Sequence, residues 1–361
     1  MKITTELRQI VALSLVKNMG PVAFKKLIEV FGDVSGIFKA SAGEFRKIRE
    51  CSKVSHAQLT DSSLLKRADE EIEKARAGKA DIVTFYDKNY PQELREIYDP
   101  PILLYVKGKL PVDGQPKVAV VGSRLSSFYG QRMTKLISKG LAEAGVAVVS
   151  GLALGIDTAA HEGALEGKGV TVAVLGGGLN RLYPSENERL ADEIVKRGAV
   201  ISEYPMDMAP QPGYFPVRNR IISGLSRAVL VVEARAKSGA LITADAALEQ
   251  GRDVFAVPGN ADSARSQGTN TLLKQGAKFV TSAEDILEEL KIETAPSKKQ
   301  APAATSGDEN RLLSLLDGEP LHVDTLIEAS GIPAKGAIST LSMMEIKGWV
   351  KQLPGKNFSK M

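Results

Sequence analysis

Apolar residues recur at helical spacing over the first 75 positions and then gather into short continuous runs as far as about 290. This change of period divides the chain. Leu7, Ile10, Val11, Leu13 and Leu15 mark one helix, and Val22, Phe24, Leu27, Ile28 and Phe31 mark a second. Gly20-Pro21 opens that second helix and Gly32 closes it, as expected of proline in a first turn and glycine beyond a last one. Val- and Ile-rich runs at 81–86, 102–106, 117–121, 146–150, 170–175, 199–202, 228–232, 253–257 and 278–280 then alternate with helical stretches. Continuous apolar strands separated by helices predict an α/β, doubly wound, Rossmann-like core whose sheet is covered on both faces. Residues 296–307 are polar and Ala/Pro-rich without periodicity, which reads as a linker. Beyond it, Leu312-Leu313-Leu315-Leu316, Val323-Leu326-Ile327 and Ile338-Leu341-Met344-Ile346 predict three helices, and Trp349-Val350 with Leu353-Pro354-Gly355 a two-stranded wing. The expected organisation is a helical module over 1–75, an extended core over 76–295, a linker over 296–307 and a winged helix over 308–361.

Small-residue turns follow several of the strands. Gly122-Ser123-Arg124 follows one, Ser150-Gly151 through Gly155 another, Gly176-Gly177-Gly178 a third, and Lys237-Ser238-Gly239 comes after Val229–Val232. A helix N-terminus offers free N–H groups and a partial positive charge, so a turn without bulky side chains there suits an anion. Several along one sheet edge suit several phosphates, and ligands of such sheets sit outside the strand carboxyl ends. Arg124 adds an always-charged fork inside the first turn. A salt bridge to a neighbouring acid is its alternative use.

Composition narrows the class. Hydrophobic residues make up 43% and charged residues 25% of 361, ordinary for a globular protein that meets no membrane, and the expected compartment is cytoplasmic. A single cysteine and three histidines leave no disulfide framework and little for a metal site. The net charge of +4 is too small to argue for nucleic acid alone. The turn after 117–121 lacks the second glycine of a dinucleotide-binding loop, and no phosphate-binding P-loop occurs, so no nucleotide cofactor is expected.

A second basic cluster, Arg218-Asn219-Arg220, follows Tyr214, Phe215 and Pro216. With Pro216 at a helix start, both arginines fall in the first turns, where cations oppose the helix dipole unless an anion neutralises them. They point about 200° apart, so one is expected to bind the ligand while the other, or Asn219, braces neighbouring loops. Tyr214 and Phe215 are candidates for stacking on bases. Asp157 and His161 stand four apart on a helix, but without a nucleophile or orienting group they read as structural. The winged helix carries six bases against seven acids, and its candidate recognition helix, 334–346, carries only Lys335 as a base, so protein contact is at least as well supported as groove reading.

In order along the chain come Val120-Val121-Gly122-Ser123-Arg124, Ser150-Gly151-Leu152-Ala153-Leu154-Gly155-Ile156-Asp157, Tyr183-Pro184-Ser185-Glu186-Asn187 and Ser202-Glu203-Tyr204-Pro205. Phe215-Pro216-Val217-Arg218-Asn219-Arg220, Ser238-Gly239-Ala240-Leu241-Ile242-Thr243-Ala244, Val257-Pro258-Gly259 and Gly268-Thr269-Asn270 follow. This series resembles the bacterial DNA-processing protein family DprA, also called Smf, across essentially the whole chain. The resemblance implies a SAM-like or helix-hairpin-helix N-terminal module, an extended Rossmann-like core and a winged helix. It further implies single-stranded DNA binding in natural transformation, homodimerisation and delivery of the strand to the recombinase RecA, with no catalysis and no cofactor. The expected DNA and phosphate contacts are Gly122, Ser123, Arg124, Ser150, Gly151, Tyr214, Phe215, Arg218, Asn219, Arg220, Ser238 and Gly239. Where relatives often offer a lysine, this chain reads Pro210-Gln211-Pro212-Gly213-Tyr214. Lys168 and Arg181 are reserve candidates.

The competing class is an enzyme, a nucleotide phosphoribohydrolase of the LOG-like Rossmann group. Such enzymes carry Pro-Gly-Gly-x-Gly-Thr closely followed by an acid. Here Pro258-Gly259 and Gly268-Thr269 are separated and no glutamate follows. A third reading is an interaction protein with DNA incidental.

Overall fold

The sheet is built from β1 (Asp81–Thr84), β2 (Leu103–Gly108), β3 (Lys117–Val121), β4 (Ala147–Ser150), β5 (Thr171–Val174), β6 (Ala199–Ser202), β7 (Ala228–Val231), β8 (Asp253–Ala256) and β9 (Lys278–Phe279). They pair in the order β1-β2-β6-β5-β4-β3-β7-β8-β9. The computed structural model describes residues 3–292, 307–316, 320–347, 349–353 and 355–360. From β6 across to β9 every pairing is parallel, whereas β2 runs antiparallel to β6 and to β1. The two strands that precede β3 in sequence therefore extend the sheet at its far side, beside β6. Strand order reverses between β3 and β7, which lie side by side in register from Val118↔Ala228 to Val121↔Val231. In this architecture the crevice at the reversal is where a ligand fits.

Ahead of the sheet come α1 (Thr5–Ser14), α2 (Pro21–Phe31), α3 (Val34–Lys39), α4 (Ala42–Arg46), α5 (His56–Leu59) and α6 (Leu64–Ala77). Among the strands lie α7 (Gln92–Arg95), α8 (Phe128–Glu143), α9 (Ile156–Glu166), α10 (Glu188–Arg197), α11 (Tyr214–Gly224), α12 (Gly239–Glu249), α13 (Gln267–Lys274) and α14 (Ala283–Glu289). Side chains alternate along each strand, so Val118 and Val120 pack with Ile137 and Leu141 of α8 while Ala119 and Val121 pack with Ile221 and Ile222 of α11. Fully burying each such Leu or Ile contributes about 1.5–3 kcal/mol. The N-terminal helices share a core with the sheet: Leu13, Leu27 and Ile72 join Tyr105, Ala173 and Val200 in one cluster.

Contacts divide the chain into two units, Met1–Ala295 and Pro296–Met361. Apart from Gly307, the expected linker at 296–307 lies outside the described residues. The second unit holds α15 (Gly307–Leu315), α16 (Val323–Ser330) and α17 (Ala334–Ile346) with β10 (Leu321–His322), β11 (Val350–Leu353) and β12 (Asn357–Lys360). Its sheet runs β10-β12-β11 around its own core of Leu312, Leu326, Leu341 and Met344. The two-residue β10 is too short to leave a periodic signal, so the sequence pattern shows only the wing.

Candidate nucleic-acid interface

The β3–α8 turn is held from below and behind. Ser123 N–H donates to Glu233 O at 2.8 Å, and Ser123 Oγ accepts from Leu125 N–H at 3.1 Å. Gly122 is glycine because a Cβ there would lie 2.7 Å from Ile156 Cγ1 and 3.0 Å from Glu233 O. The N-terminus of α8 already holds an anion. Glu233, buried at the end of β7, accepts from Ser127 N–H at 2.8 Å and from Ser127 Oγ, while Ser127 Oγ caps Gly130 N–H. What remains open at this turn is Arg124. Its side chain is exposed, forms no ion pair among the described residues, and lies 5.1 Å from the Phe215 ring centroid.

The β4–α9 turn corrects two expected contacts. Ser150 is fully buried and its Oγ donates to Val120 O at 2.6 Å. Gly151 N–H donates to Asp157 Oδ2 at 3.1 Å, and a Cβ on Gly151 would meet the Arg218 guanidinium at 2.5 Å. Neither residue has a group left for phosphate, because Asp157 acts as the turn's own anion. Burial raises the Asp157 carboxyl above its ordinary value, while Arg218 and the Ala153 and Gly151 N–H groups pull it back. His161 is structural, as expected. Thr171 Oγ1 gives its single proton to Val148 O at 2.8 Å, so the His161 Nδ1 atom 2.7 Å away donates to Thr171. Burial lowers the imidazole to about 3, and its Nε2 has no partner.

Helix α11 begins at Tyr214, two residues before Pro216, which a first turn tolerates because its N–H groups have no intrahelical acceptor. The two arginines point apart, and both turn inward. Arg218 is 4% exposed and donates from one nitrogen to Gly151 O at 2.8 Å and to Val174 O, and from Nε to Asn219 Oδ1 at 3.2 Å. Burial pushes its guanidinium down to about 10, with Asp157 opposing and Arg124 adding to the shift, so it stays charged at neutral pH. Arg220 pairs with Glu203 and, at 3.1 Å, with Asp99. The anions that neutralise these cations are thus the protein's own, and Arg220 is withdrawn from the expected phosphate contacts. Asn219 is the brace, donating from Nδ2 to Gly239 O at 3.2 Å. Tyr214 is also withdrawn, since it stacks on Tyr204 with centroids 4.4 Å apart. Phe215 faces the crevice and packs against Tyr183 at 5.9 Å.

These elements enclose an open cavity of about 720 Å³ between the turns that follow β3 and β7. Gly122, Ser123, Arg124, Phe215, Arg218, Asn219, Ser238 and Gly239 all line it, and Ser150, Gly151, Tyr214, Arg220, Lys168 and Arg181 do not. Four bases (Arg124, Arg218, Arg235 and Lys237) face one acid, Asp157, across it. Arg235 and Lys237 are exposed and form no ion pair among the described residues. The sequence reading named neither as a candidate, although Arg235-Ala236-Lys237 directly ahead of Ser238-Gly239 was a usable signal: two bases leading into a small-residue helix start. Ser238 caps α12 through Ala240 N–H at 3.3 Å, and a Cβ on Gly239 would meet nothing within 4 Å. One wall is apolar, with Leu125, Tyr183, Pro210, Pro212, Phe215 and Pro216. The split Pro-Gly and Gly-Thr motifs have a structural use: Asn270 clamps Gly259, accepting its N–H at 3.3 Å and donating to its carbonyl at 3.0 Å. No helix among the described residues is long and apolar enough to cross a membrane.

The sequence carries the signature of a known family. The family model described as DNA recombination-mediator protein A matches residues 81–291, and that of the DprA winged helix domain matches 296–356. The former describes a mediator and not an enzyme. Protein Smf of Escherichia coli (strain K12) is 44% identical over 277 residues, 74% of this chain and 74% of that protein. The X-ray structure of DNA processing protein A from Streptococcus pneumoniae superposes with a TM-score of 0.68 at 39% identity, covering 80% of this chain and 99% of that one. A structure of DNA processing protein A from Helicobacter pylori, concerned with its single-stranded DNA binding mode, has a TM-score of 0.52 at 32% identity, over 58% of this chain and 95% of that one. The chain belongs to the DNA recombination-mediator protein A (DprA) family.

Proposed function

We propose that this protein binds single-stranded DNA through the cavity at the β3/β7 reversal, protects the strand during natural transformation and passes it to the recombinase RecA, working as a cytoplasmic homodimer. The observation that carries the binding step is the pairing of three exposed, unpaired cations, Arg124, Arg235 and Lys237, with an aromatic wall at Phe215 and Tyr183. Phosphates take the cations and the first turn of α12, where an anion also meets the positive end of the helix dipole. Bases lie against the aromatic wall, whose flat faces accept any base and so carry little sequence information. The single-stranded DNA binding of the Helicobacter pylori relative supports the same ligand for this chain.

Fluorescence anisotropy with a labelled oligo-dT, a mixed-sequence strand and a duplex tests this reading across salt. Similar affinity for the two strands, weaker affinity for the duplex and steady loss with salt are the expected results. Equal or tighter duplex binding would move the working site to the winged helix.

A further inference from the structure

The protein's net positive charge is not confined to the cavity. Residues 1–60 carry ten bases and five acids, a net charge of +5, whereas the whole chain is only +4, so all remaining residues together carry −1. The N-terminal helices therefore carry an excess of positive charge that adds to the local cluster at the cavity in attracting a polyanion.

Three of the five acids in this segment are engaged, leaving Glu6 and, beside Arg49, Glu50. Glu29 pairs with Lys26 at 3.1 Å, Asp33 caps α3 through Gly36 N–H at 2.7 Å, and Glu44 closes a capping box with Ser41 on α4. The bases are not. Lys17, Arg49 and Lys53 are exposed and form no ion pair among the described residues. The same holds for Lys25, Lys39, Arg46 and Lys47 on and beside α2 to α4.

Three of these bases rise from one fixed knot of backbone. Lys17 N–H donates to Gln58 Oε1 at 2.9 Å, and Asn18 Nδ2 donates to Lys53 O at 2.8 Å. Cys51, in the turn that carries Arg49 and Lys53, places its buried Sγ 3.8 Å from Ala23 O in the first turn of α2. The loop before α2 and the turn after α4 are thus tied together, with Lys17, Arg49 and Lys53 exposed on them. Unneutralised cations on a packed frame, none with a partner of its own, match a ligand of repeated negative charge.

We infer that the N-terminal helical module is a second docking surface for the nucleic-acid backbone, distinct from the cavity and indifferent to sequence. Its ligand is the phosphate chain of a strand too long to be held by the cavity alone. Counterions released from that chain make the contact salt-dependent, by about 0.7 in the slope of log affinity against log salt for each phosphate neutralised on a single strand.

The test uses the full chain and its K17Q/R49Q/K53Q variant, with oligo-dT of about 6 and about 30 nucleotides, lengths chosen around the footprint of a compact single-strand site. For the long strand the variant's salt slope should fall by about 2, three contacts at about 0.7 each. For the short strand its affinity should match wild type. A second variant, K109Q/K274Q/K291Q, removes the same charge from exposed, unpaired positions elsewhere and should leave both slopes unchanged. R124A separates the two sites: it should weaken the short strand, and failure there would count against the cavity while leaving this proposal standing. An unchanged slope in K17Q/R49Q/K53Q, or an equal fall in the second variant, overturns the proposal. So does loss of binding to phosphatidylserine vesicles without loss of DNA binding, which would make the surface a membrane contact.

Discussion

Replacing Arg124 by alanine separates binding from folding. The side chain is exposed, unpaired with any described acid, and its one packed contact is the Phe215 ring at 5.1 Å. Losing an exposed cation–π contact costs about 0.5–1 kcal/mol, which in a unit of this size moves the thermal midpoint by about 2–4 °C per kcal/mol. Losing a charge-assisted bond to phosphate costs about 1.5–3 kcal/mol, and each 1.4 kcal/mol is about tenfold in Kd. Arg124→Ala should therefore weaken an oligo-dT by about 10- to 150-fold while melting within a few degrees of wild type. Anisotropy at one moderate salt concentration, paired with a melting curve, reads both. A variant that binds as tightly as wild type refutes the assignment of Arg124, and with it the view that the turn after β3 holds the strand.

Arg218→Ala should behave the opposite way, because it removes the buried donors to Gly151 O and Val174 O and the nearby charge that opposes the rise of the Asp157 carboxyl; each buried carbonyl left unsatisfied costs about 1–3 kcal/mol, read together as a fall in thermal midpoint of about 10 °C. His161, held near 3 by burial, binds fewer protons folded than unfolded below about 6.5, so it makes stability fall as the pH drops through that window, by up to about 1.4 kcal/mol per unit. Asp157 and Glu203, raised by burial, act with the opposite sign at the acid end, so the comparison is with His161→Gln, whose urea-unfolding stability should decline less between pH 6.5 and 5; parallel curves would contradict the neutral buried ring. A chain ending at Ala295 keeps every cavity residue and the Leu290 and Ile292 contacts with the core, and should retain most single-strand affinity; a large loss with the core still folded would assign the winged helix a direct share.

Much of the fold was written in local pattern. Val118–Val121 and Val229–Val232 each fill a strand buried on both faces, and the glycines after them mark where those strands hand over to helices. Arg124 and Phe215, named from a cation in a small-residue turn and an aromatic at a helix start, both line the cavity. Arg218 and Arg220 could not be sorted. Spacing fixed their divergence, but their neutralising acids, Asp157, Asp99 and Glu203, come from other elements and only the fold brings them near. Ser150 and Gly151 failed for the same reason. A small turn at a strand end offers N–H groups to an anion, and here Asp157 from the following helix takes them first.

That pattern of internal anions explains where an external one can go. The first βα turn of this fold ordinarily presents its helix to a pyrophosphate. In this chain Glu233 fills that place, holding both the N–H and the hydroxyl of Ser127 at the start of α8. A ligand phosphate brought to about 4 Å from this carboxylate meets repulsion of about 4 kcal/mol at an effective dielectric near 20. Asp157 closes the next turn in the same manner. Helix α12 is different, since its first turn is capped by a neutral serine and flanked by Arg235 and Lys237. On the proposed reading, phosphate is directed away from the tight helix start that suits a dinucleotide and towards the exposed cations Arg124, Arg235 and Lys237 around an open cavity. Cations set apart along an open wall suit phosphates repeated along a strand better than two joined in one cofactor. The carboxylates at α8 and α9 are therefore as much a part of the preference for a polymer as the arginines that would touch it.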